Sequence, residues 1–104
     1  ALGRLDDALR DHNGALKIEP DNARFLVARA ATQLQRNQPD HAIADLSRAI
    51  AIDAGSAEAF NLRGLAFKRK GEPNKAQADF LAALALDPAN EMARSNLRSL
   101  TASR

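Results

Sequence analysis

The chain has 104 residues and a formal net charge of +2, from 15 basic and 13 acidic side chains. Charges this close to balance argue against nucleic-acid binding, and the absence of cysteine excludes a disulfide framework, a thiolate metal site and a cysteine nucleophile. No apolar run approaches the roughly 20 residues that cross a bilayer, so we expect a soluble segment without membrane insertion.

The first predicted element, within residues 1–22, is the second half of a structural unit. Ala1–Gly3 reads as the tail of a preceding helix with Gly3 in the turn, and Leu5–Ile18 reads as the next helix, which Glu19-Pro20 ends. The chain starts with alanine and in mid-unit, which suggests a piece of a longer protein. One face of the helix is apolar and carries Leu5, Ala8, Leu9, His12, Ala15, Leu16 and Ile18.

The second predicted unit spans residues 23–56 and contains two helices joined by a tight turn. Asn22 is expected to cap the first helix, and Pro39 suits the start of the second, where a missing amide proton has no partner anyway. Because no proline follows this second helix, Gly55 is expected to end it in a left-handed conformation. The apolar positions of the unit include Leu26, Ala30, Leu34, Ala42, Ile43, Leu46, Ala49, Ile50 and Ile52.

The third predicted unit spans residues 57–90, and a final helix and tail occupy residues 91–104. Ser56 and Asn90 are expected to cap the two helices that follow them. The third unit has aromatic and small residues at helical spacing in its first helix, a glycine turn and a second helix of the same kind. These positions are Phe60, Gly64, Phe67, Gly71, Ala76, Phe80, Ala83 and the closing Pro88.

The three units repeat at a step of 34 residues, which relates Ala8, Ala42 and Ala76. The same step relates Asp11, Asp45 and Asp79; Ala15, Ala49 and Ala83; and Ile18, Ile52 and Leu86. This period, together with the pattern of residues 57–90, resembles the tetratricopeptide repeat family. The resemblance implies one all-α domain, a superhelix of about six antiparallel helices with two complete repeats, a half repeat before them and a terminal helix after them.

Small side chains are expected to let the paired helices approach closely, with Ala42 and Ala76 opposite Ala30 and Gly64. Larger side chains would fill the space beside these contacts and between units. Arg29 and Arg63 also share one repeat position. We therefore predict ion pairs across the helices from these arginines to the aspartates of the row that includes Asp45 and Asp79.

No catalytic, metal or cofactor site is predicted. His12 and His41 lie on different predicted helices, and the sequence has neither the paired-histidine spacing of a zinc site nor a phosphate-binding glycine loop. Since a nucleophile elbow is also missing, we expect a protein that is not an enzyme.

The resemblance implies a concave groove, lined by the first helix of each repeat, that binds a peptide or helix of a partner protein. One subclass of the family grips the C-terminal carboxylate of heat-shock chaperones. Val27, Ala31 and Leu62 stand where that subclass has lysines and asparagines, so such capture is not expected. The predicted groove residues are Arg24, Val27, Ala31, Leu34, Glu58, Asn61, Leu65, Lys68, Met92, Ser95 and Ser99.

Two alternative functions stay open at this point. The chain could be an assembly element that pairs with another copy through Leu5, Leu9, Leu97 and Leu100, or the substrate-docking arm of a larger enzyme. Nucleic-acid binding is disfavoured because no exposed aromatic is available for base stacking. The sequence leaves open the partner, the number of repeats, the oligomeric state and the compartment, with the cytoplasm slightly favoured.

Overall fold

The structure, a computed structural model, describes residues 2–102, which form six α-helices and no strand. This confirms the predicted all-α class and the number of helices. Short turns join the helices, which are α1 (Leu2–Ile18), α2 (Ala23–Gln35), α3 (Pro39–Ile52), α4 (Ala57–Arg69), α5 (Pro73–Leu86) and α6 (Glu91–Ala102).

Helix α1 begins earlier than the sequence predicted. Leu2–Ile18 is one continuous helix, so the predicted turn at Gly3 was wrong. A Cβ atom at Gly3 would meet nothing within 4 Å, and no close contact forces a break there. A glycine inside a helix costs about 1 kcal/mol relative to alanine, which the surrounding turns of a 17-residue helix overcome. Ala1 lies outside the described residues.

The first helices of successive units start with capping side chains at the predicted places. Each cap accepts a hydrogen bond from the backbone N–H three residues ahead, which satisfies one of the free donors at a helix start and is worth about 1 kcal/mol. The three caps, Asn22, Ser56 and Asn90, bond the amides of Phe25, Ala59 and Ala93 at 3.1, 3.1 and 2.9 Å.

The two turns inside the units also follow the repeat. Asn37 and Gly71 have φ angles of 60° and 78°, the left-handed conformation that asparagine and glycine adopt most easily. Pro39 and Pro73 then open α3 and α5 at the first helical position. Helix pairs thus turn back through the same backbone geometry in each complete unit.

The end of α3 differs from the prediction. Asp53, the residue after the helix, is extended, and its Oδ1 accepts a hydrogen bond from the Gly55 N–H at 3.0 Å. Gly55 does not take a left-handed conformation, so that prediction was wrong. An aspartate side chain here closes the turn in place of a left-handed glycine.

The stack is curved, and contacts between helices show its hollow side. α2 contacts α4, and α4 contacts α6, whereas α1, α3 and α5 do not contact one another within residues 2–102. The first helices of neighbouring units therefore lie closer together than the second helices. This arrangement places α2, α4 and α6 on the concave side and α1, α3 and α5 on the convex side.

Small residues allow the paired helices to approach each other closely. Ala30 and Ala42 are completely buried in one cluster with Leu46, as expected for a contact between α2 and α3. In the next unit the room left by Gly64 is taken by the Phe80 ring, since a Cβ atom on Gly64 would lie 2.5 Å from a ring carbon. Phe80 is itself completely buried.

The predicted ion pairs between helices are present, and each also contacts the preceding unit. Arg29 donates from Nε and Nη2 to the two carboxylate oxygens of Asp45, both at 2.7 Å, and from Nη1 to Asn13 Oδ1 at 3.0 Å. Arg63 repeats this set with Asp79 at 2.9 and 2.8 Å and Ser47 Oγ at 3.2 Å. Each arginine therefore joins three helices.

The environment of Arg29 keeps it charged. The hydrogen bond to Asp45 is the main cause that raises the pKa of the Arg29 guanidinium, and burial works in the opposite direction. Because the folded-state pKa lies above its ordinary value, the stabilisation is complete at neutral pH and is lost only as the pH rises through that raised pKa.

Removal of one carboxylate tests these pairs. We expect Asp79→Asn to lower the free energy of unfolding by about 1–3 kcal/mol, because it leaves the largely buried Arg63 without its counter-charge. Asp11 is the exposed member of the same repeat row. Asp11→Asn, the matched control, should change stability by less than about 0.5 kcal/mol in urea denaturation followed by circular dichroism.

Two glycine substitutions test the close contact at Gly64. Alanine is the better helix former by about 1 kcal/mol, but at Gly64 its Cβ meets the buried Phe80 ring at a cost of about 1–3 kcal/mol. Gly64→Ala should therefore lower the melting temperature. Gly14 lies exposed in α1, and an added methyl group there would meet nothing within 4 Å, so Gly14→Ala should raise it. Equal shifts of the melting temperature in both variants would contradict this description of the packing.

Candidate partner-binding groove

The predicted groove residues lie on α2, α4 and α6, the helices of the concave side, but they differ in accessibility. Arg24, Glu58, Met92 and Ser95 are exposed. Val27, Ala31, Leu65, Lys68 and Ser99 are half-buried. Leu34 and Asn61 are buried, with 5% and 2% of their surface exposed, so nine of the eleven residues present side chains to solvent.

Leu34 belongs to the core instead of the groove surface. Its side chain packs with Ala30 and Leu46 between α2 and α3. Its backbone carbonyl accepts a hydrogen bond from Arg69 Nη1, which ties the end of α2 to the end of α4. Leu34 therefore lies below the groove surface, in the core between α2 and α3.

Asn61 also acts in a contact between helices. Asn96 Nδ2 donates to Asn61 Oδ1 at 3.1 Å, and this bond joins α6 to α4 under the concave surface. Sequence reasoning missed Asn96, although it directly follows the predicted Ser95. A pair of amides packed between two helices fixes their register, because a shift would leave both unpaired.

At the carboxyl-terminal ends of α4 and α6, the structure brings two predicted residues together. Lys68 Nζ donates to Ser99 Oγ at 2.6 Å. The ammonium group of Lys68 is thereby held at the edge of the groove, and the lysine has further N–H donors that a ligand carbonyl could accept.

At the opposite end, Arg24, Val27 and Glu58 line a common cavity of about 170 Å³ between the starts of α2 and α4. Asp53 and Ser56, from the turn between α3 and α4, complete its polar wall. The prediction missed these two residues because it considered only the first helices. The cavity combines one cation, two carboxylates and an apolar wall, so it suits a side chain with both apolar and polar parts.

The two histidines have separate roles. His12 Nε2 lies 3.1 Å from Thr32 Oγ1, a hydrogen bond between α1 and α2. His41 is exposed on α3. Among residues 2–102, no group of three or more histidine, cysteine, aspartate or glutamate side chains is arranged to hold a metal ion.

The apolar residues of α6 pack against other helices of the chain. Leu100 is buried and, with the half-buried Leu97, packs against Ala76 and Phe80. The predicted exposed edge for self-association was therefore wrong at Leu100, because α6 turns this face toward α5. Leu5 and Leu9 on α1 are half-buried. Self-association and a docking role in a larger enzyme stay predictions.

A helix that crosses a bilayer needs roughly 20 predominantly apolar residues. In the part of the chain that the structure describes, none of the helices has the length and apolar character needed to cross a membrane.

Comparison with known families agrees with the geometry of the repeat. A family model described as tetratricopeptide repeat matches residues 1–66, and a second model with the same description matches residues 57–90. The chain belongs to the tetratricopeptide repeat family. A comparison with curated proteins finds no match.

Solved structures of this family superpose on nearly the whole chain. The Arabidopsis OM64 TPR domain has a TM-score of 0.93 and 28% identity over 98% of this chain and 84% of that one. The second TPR domain of human RPAP3, in complex with the HSP70 peptide SGPTIEEVD, has a TM-score of 0.89 and 28% identity over 95% and 82%. MamA has a TM-score of 0.90 and 29% identity over 97% of this chain and 59% of that one.

Proposed function

We propose that this tetratricopeptide repeat chain is a non-catalytic interaction module that binds an extended peptide or a helix of a partner protein along α2, α4 and α6. The observation that carries the proposal is the contact of these first helices with one another while the second helices stand apart, which makes a hollow side. The second TPR domain of human RPAP3, which is similar to this chain, supports the proposal, because its structure was solved in complex with a peptide.

The chemistry of the hollow side favours a ligand that is apolar in its middle and polar at its ends. Val27, Leu65 and Met92 offer apolar surface across the three helices. The cavity with Arg24 and Glu58 lies at one end, and Lys68 lies at the other. Polar groups at the ends fix the direction and register of a bound chain, and the apolar centre supplies contact area.

The width of the hollow side sets the length of the ligand. Neighbouring packed helices lie about 8–10 Å apart, so three first helices span roughly 20 Å. An extended chain advances about 3.3 Å per residue, and the row would therefore hold a segment of about six residues.

Two charges placed on the groove face of α6 test the proposal. Peptides selected from a displayed library for binding to the chain would be measured by fluorescence anisotropy. Met92→Glu combined with Ser95→Glu should weaken the binding of these peptides by at least about 10-fold, because both side chains are exposed on α6, the last helix of the hollow side. The melting temperature should stay within about 2 °C, as expected for exposed positions.

The control places the same charge on the other side of the stack. Leu81 on α5 is 49% exposed, so Leu81→Glu changes apolar surface to charge outside the groove. Binding of the selected peptides should be unchanged in this variant. If Leu81→Glu weakens binding as much as the α6 variant, the peptides bind elsewhere and the groove is rejected.

We also propose that the partner does not present an acidic carboxyl terminus of the kind found in the HSP70 peptide. Val27, Ala31 and Leu62 offer apolar surface where charge or amide groups would be needed to hold a carboxylate. In calorimetric titration, the peptide SGPTIEEVD should show no saturation below about 100 μM. Saturable binding at low micromolar concentration would contradict this restriction.

A further inference from the structure

On the convex side, the cleft between α1 and α3 contains an unsatisfied polar group. Gln33, on α2 at the floor of the cleft, is only 7% exposed. Its Oε1 is buried and accepts no hydrogen bond from any described residue. A buried carbonyl oxygen without a donor is unfavourable, so a turn of the Gln33 amide toward an N–H or O–H group in the cleft would relieve an unpaired acceptor.

The cleft has room for a ligand group. It encloses about 360 Å³, and its walls come from all three helices around it. An apolar protein cavity of about 150 Å³ is enough to hold a benzene molecule, so this cleft is large enough for a bicyclic ring. Its wall includes Leu9 and Asn13 from α1, Arg29 from α2, and His41 and Asp45 from α3.

The next repeat shows what such a cleft contains when it is filled. A step of 34 residues takes Gln33 to Phe67, Arg29 to Arg63 and His41 to Lys75. There the Arg63 guanidinium carbon and Lys75 Nζ lie 5.9 and 5.5 Å from the centroid of the Phe67 ring. This second cleft, one repeat after the cleft between α1 and α3, therefore holds an aromatic ring between two cations. The first cleft, between α1 and α3, has an amide at the corresponding position.

The arginine of each cleft is held by an equivalent set of hydrogen bonds. Arg29 and Arg63 make equivalent bonds, to Asp45 and Asn13 in one case and to Asp79 and Ser47 in the other. These bonds use the edge of each guanidinium and are compatible with stacking on a ring, as the contacts of Arg63 with the Phe60 and Phe67 rings show. Arg29 is thus oriented as Arg63 is, without the ring of Phe67 beside it.

We propose that the cleft between α1 and α3 binds a tryptophan side chain of a partner protein, with the indole ring facing Arg29 and the indole N–H donated to Gln33 Oε1. Tryptophan fits because it is the best aromatic partner of a cation and carries an N–H donor. The 104 residues contain no tryptophan and no tyrosine, so a second copy of this segment cannot supply such a ring. The site lies on the convex side and is independent of the groove.

The absence of tryptophan also makes the experiment direct, because the fluorescence of an added indole is not obscured by the protein. N-acetyl-tryptophanamide titrated with the 104-residue chain should bind with a dissociation constant on the order of 0.1–1 mM, as expected for a ligand of this size. N-acetyl-1-methyltryptophanamide lacks the N–H donor. It should bind at least about 5-fold more weakly, because it leaves Gln33 Oε1 unpaired.

Variants of the two clefts provide matched tests. Gln33→Phe reproduces the filled second cleft, so it should lower indole affinity by at least about 10-fold. Phe67→Gln should instead open the second cleft and raise the number of indoles bound from one to two. Circular dichroism checks that both variants fold. The groove variant carrying Met92→Glu and Ser95→Glu should bind indole as the parent chain does.

Amide chemical shifts decide where the indole binds. Perturbation of Arg29, Gln33 and His41 is expected. The proposal is overturned if N-acetyl-tryptophanamide at about 10 mM moves none of these signals, which would mean that water alone fills the cleft. Unchanged affinity in Gln33→Phe would overturn it as well, and since that variant removes the unpaired amide, it should fold at least as stably as the parent chain.

Discussion

The stack depends on close approach between the two helices of each unit, which small residues permit. Where the Gly64 backbone meets the Phe80 ring, no side chain separates α4 from that ring, and completely buried alanines serve the same purpose between α2 and α3. Since an interior packed this tightly has no free space, the angle between the paired helices is fixed by steric contact. The curvature, and with it the hollow side, follows from that fixed angle repeated along the chain.

Polar side chains add the register that apolar packing lacks. Hydrophobic contact is nearly non-directional, so apolar burial specifies the relative position of the helices less sharply than directed polar bonds do. Arg29 and Arg63 prevent sliding, because each guanidinium makes two bonds to an aspartate of its own unit and one to the unit before it. Asn61 and Asn96 do the same for the terminal helix. These bonds hold the helices of the concave row in place, which would lower the entropy lost on binding of the proposed peptide.

Features that repeat were predictable from the sequence, and features that depend on a single tertiary contact were not. The caps at Asn22 and Ser56 follow from local backbone chemistry, and the Arg63 pair follows from the 34-residue step. The turn predicted at Gly3 was wrong because a single glycine weakens a helix without ending it, and α1 continues through Gly3. Leu34 was expected both in the buried face of its helix and in the groove, and only the first expectation was right. Burial of Asn61 was missed because helical spacing gives the face of a side chain but not how deeply the neighbouring helix covers it.

Repeated and varied positions have different surroundings in this chain. Positions that build the stack carry the same residue type in successive units, as Asp45 and Asp79 do. Groove positions change at every step, from Arg24 to Glu58 to Met92, and from Ala31 to Leu65 to Ser99. A residue that repeats satisfies a contact which every unit needs, whereas a residue that varies gives its unit a different surface. Gln33 belongs to the second kind, because its equivalent Phe67 fills a cleft that Gln33 leaves open. Each unit thus shares one scaffold, and under the proposed function the chemistry that distinguishes partners would lie in the few side chains by which the units differ.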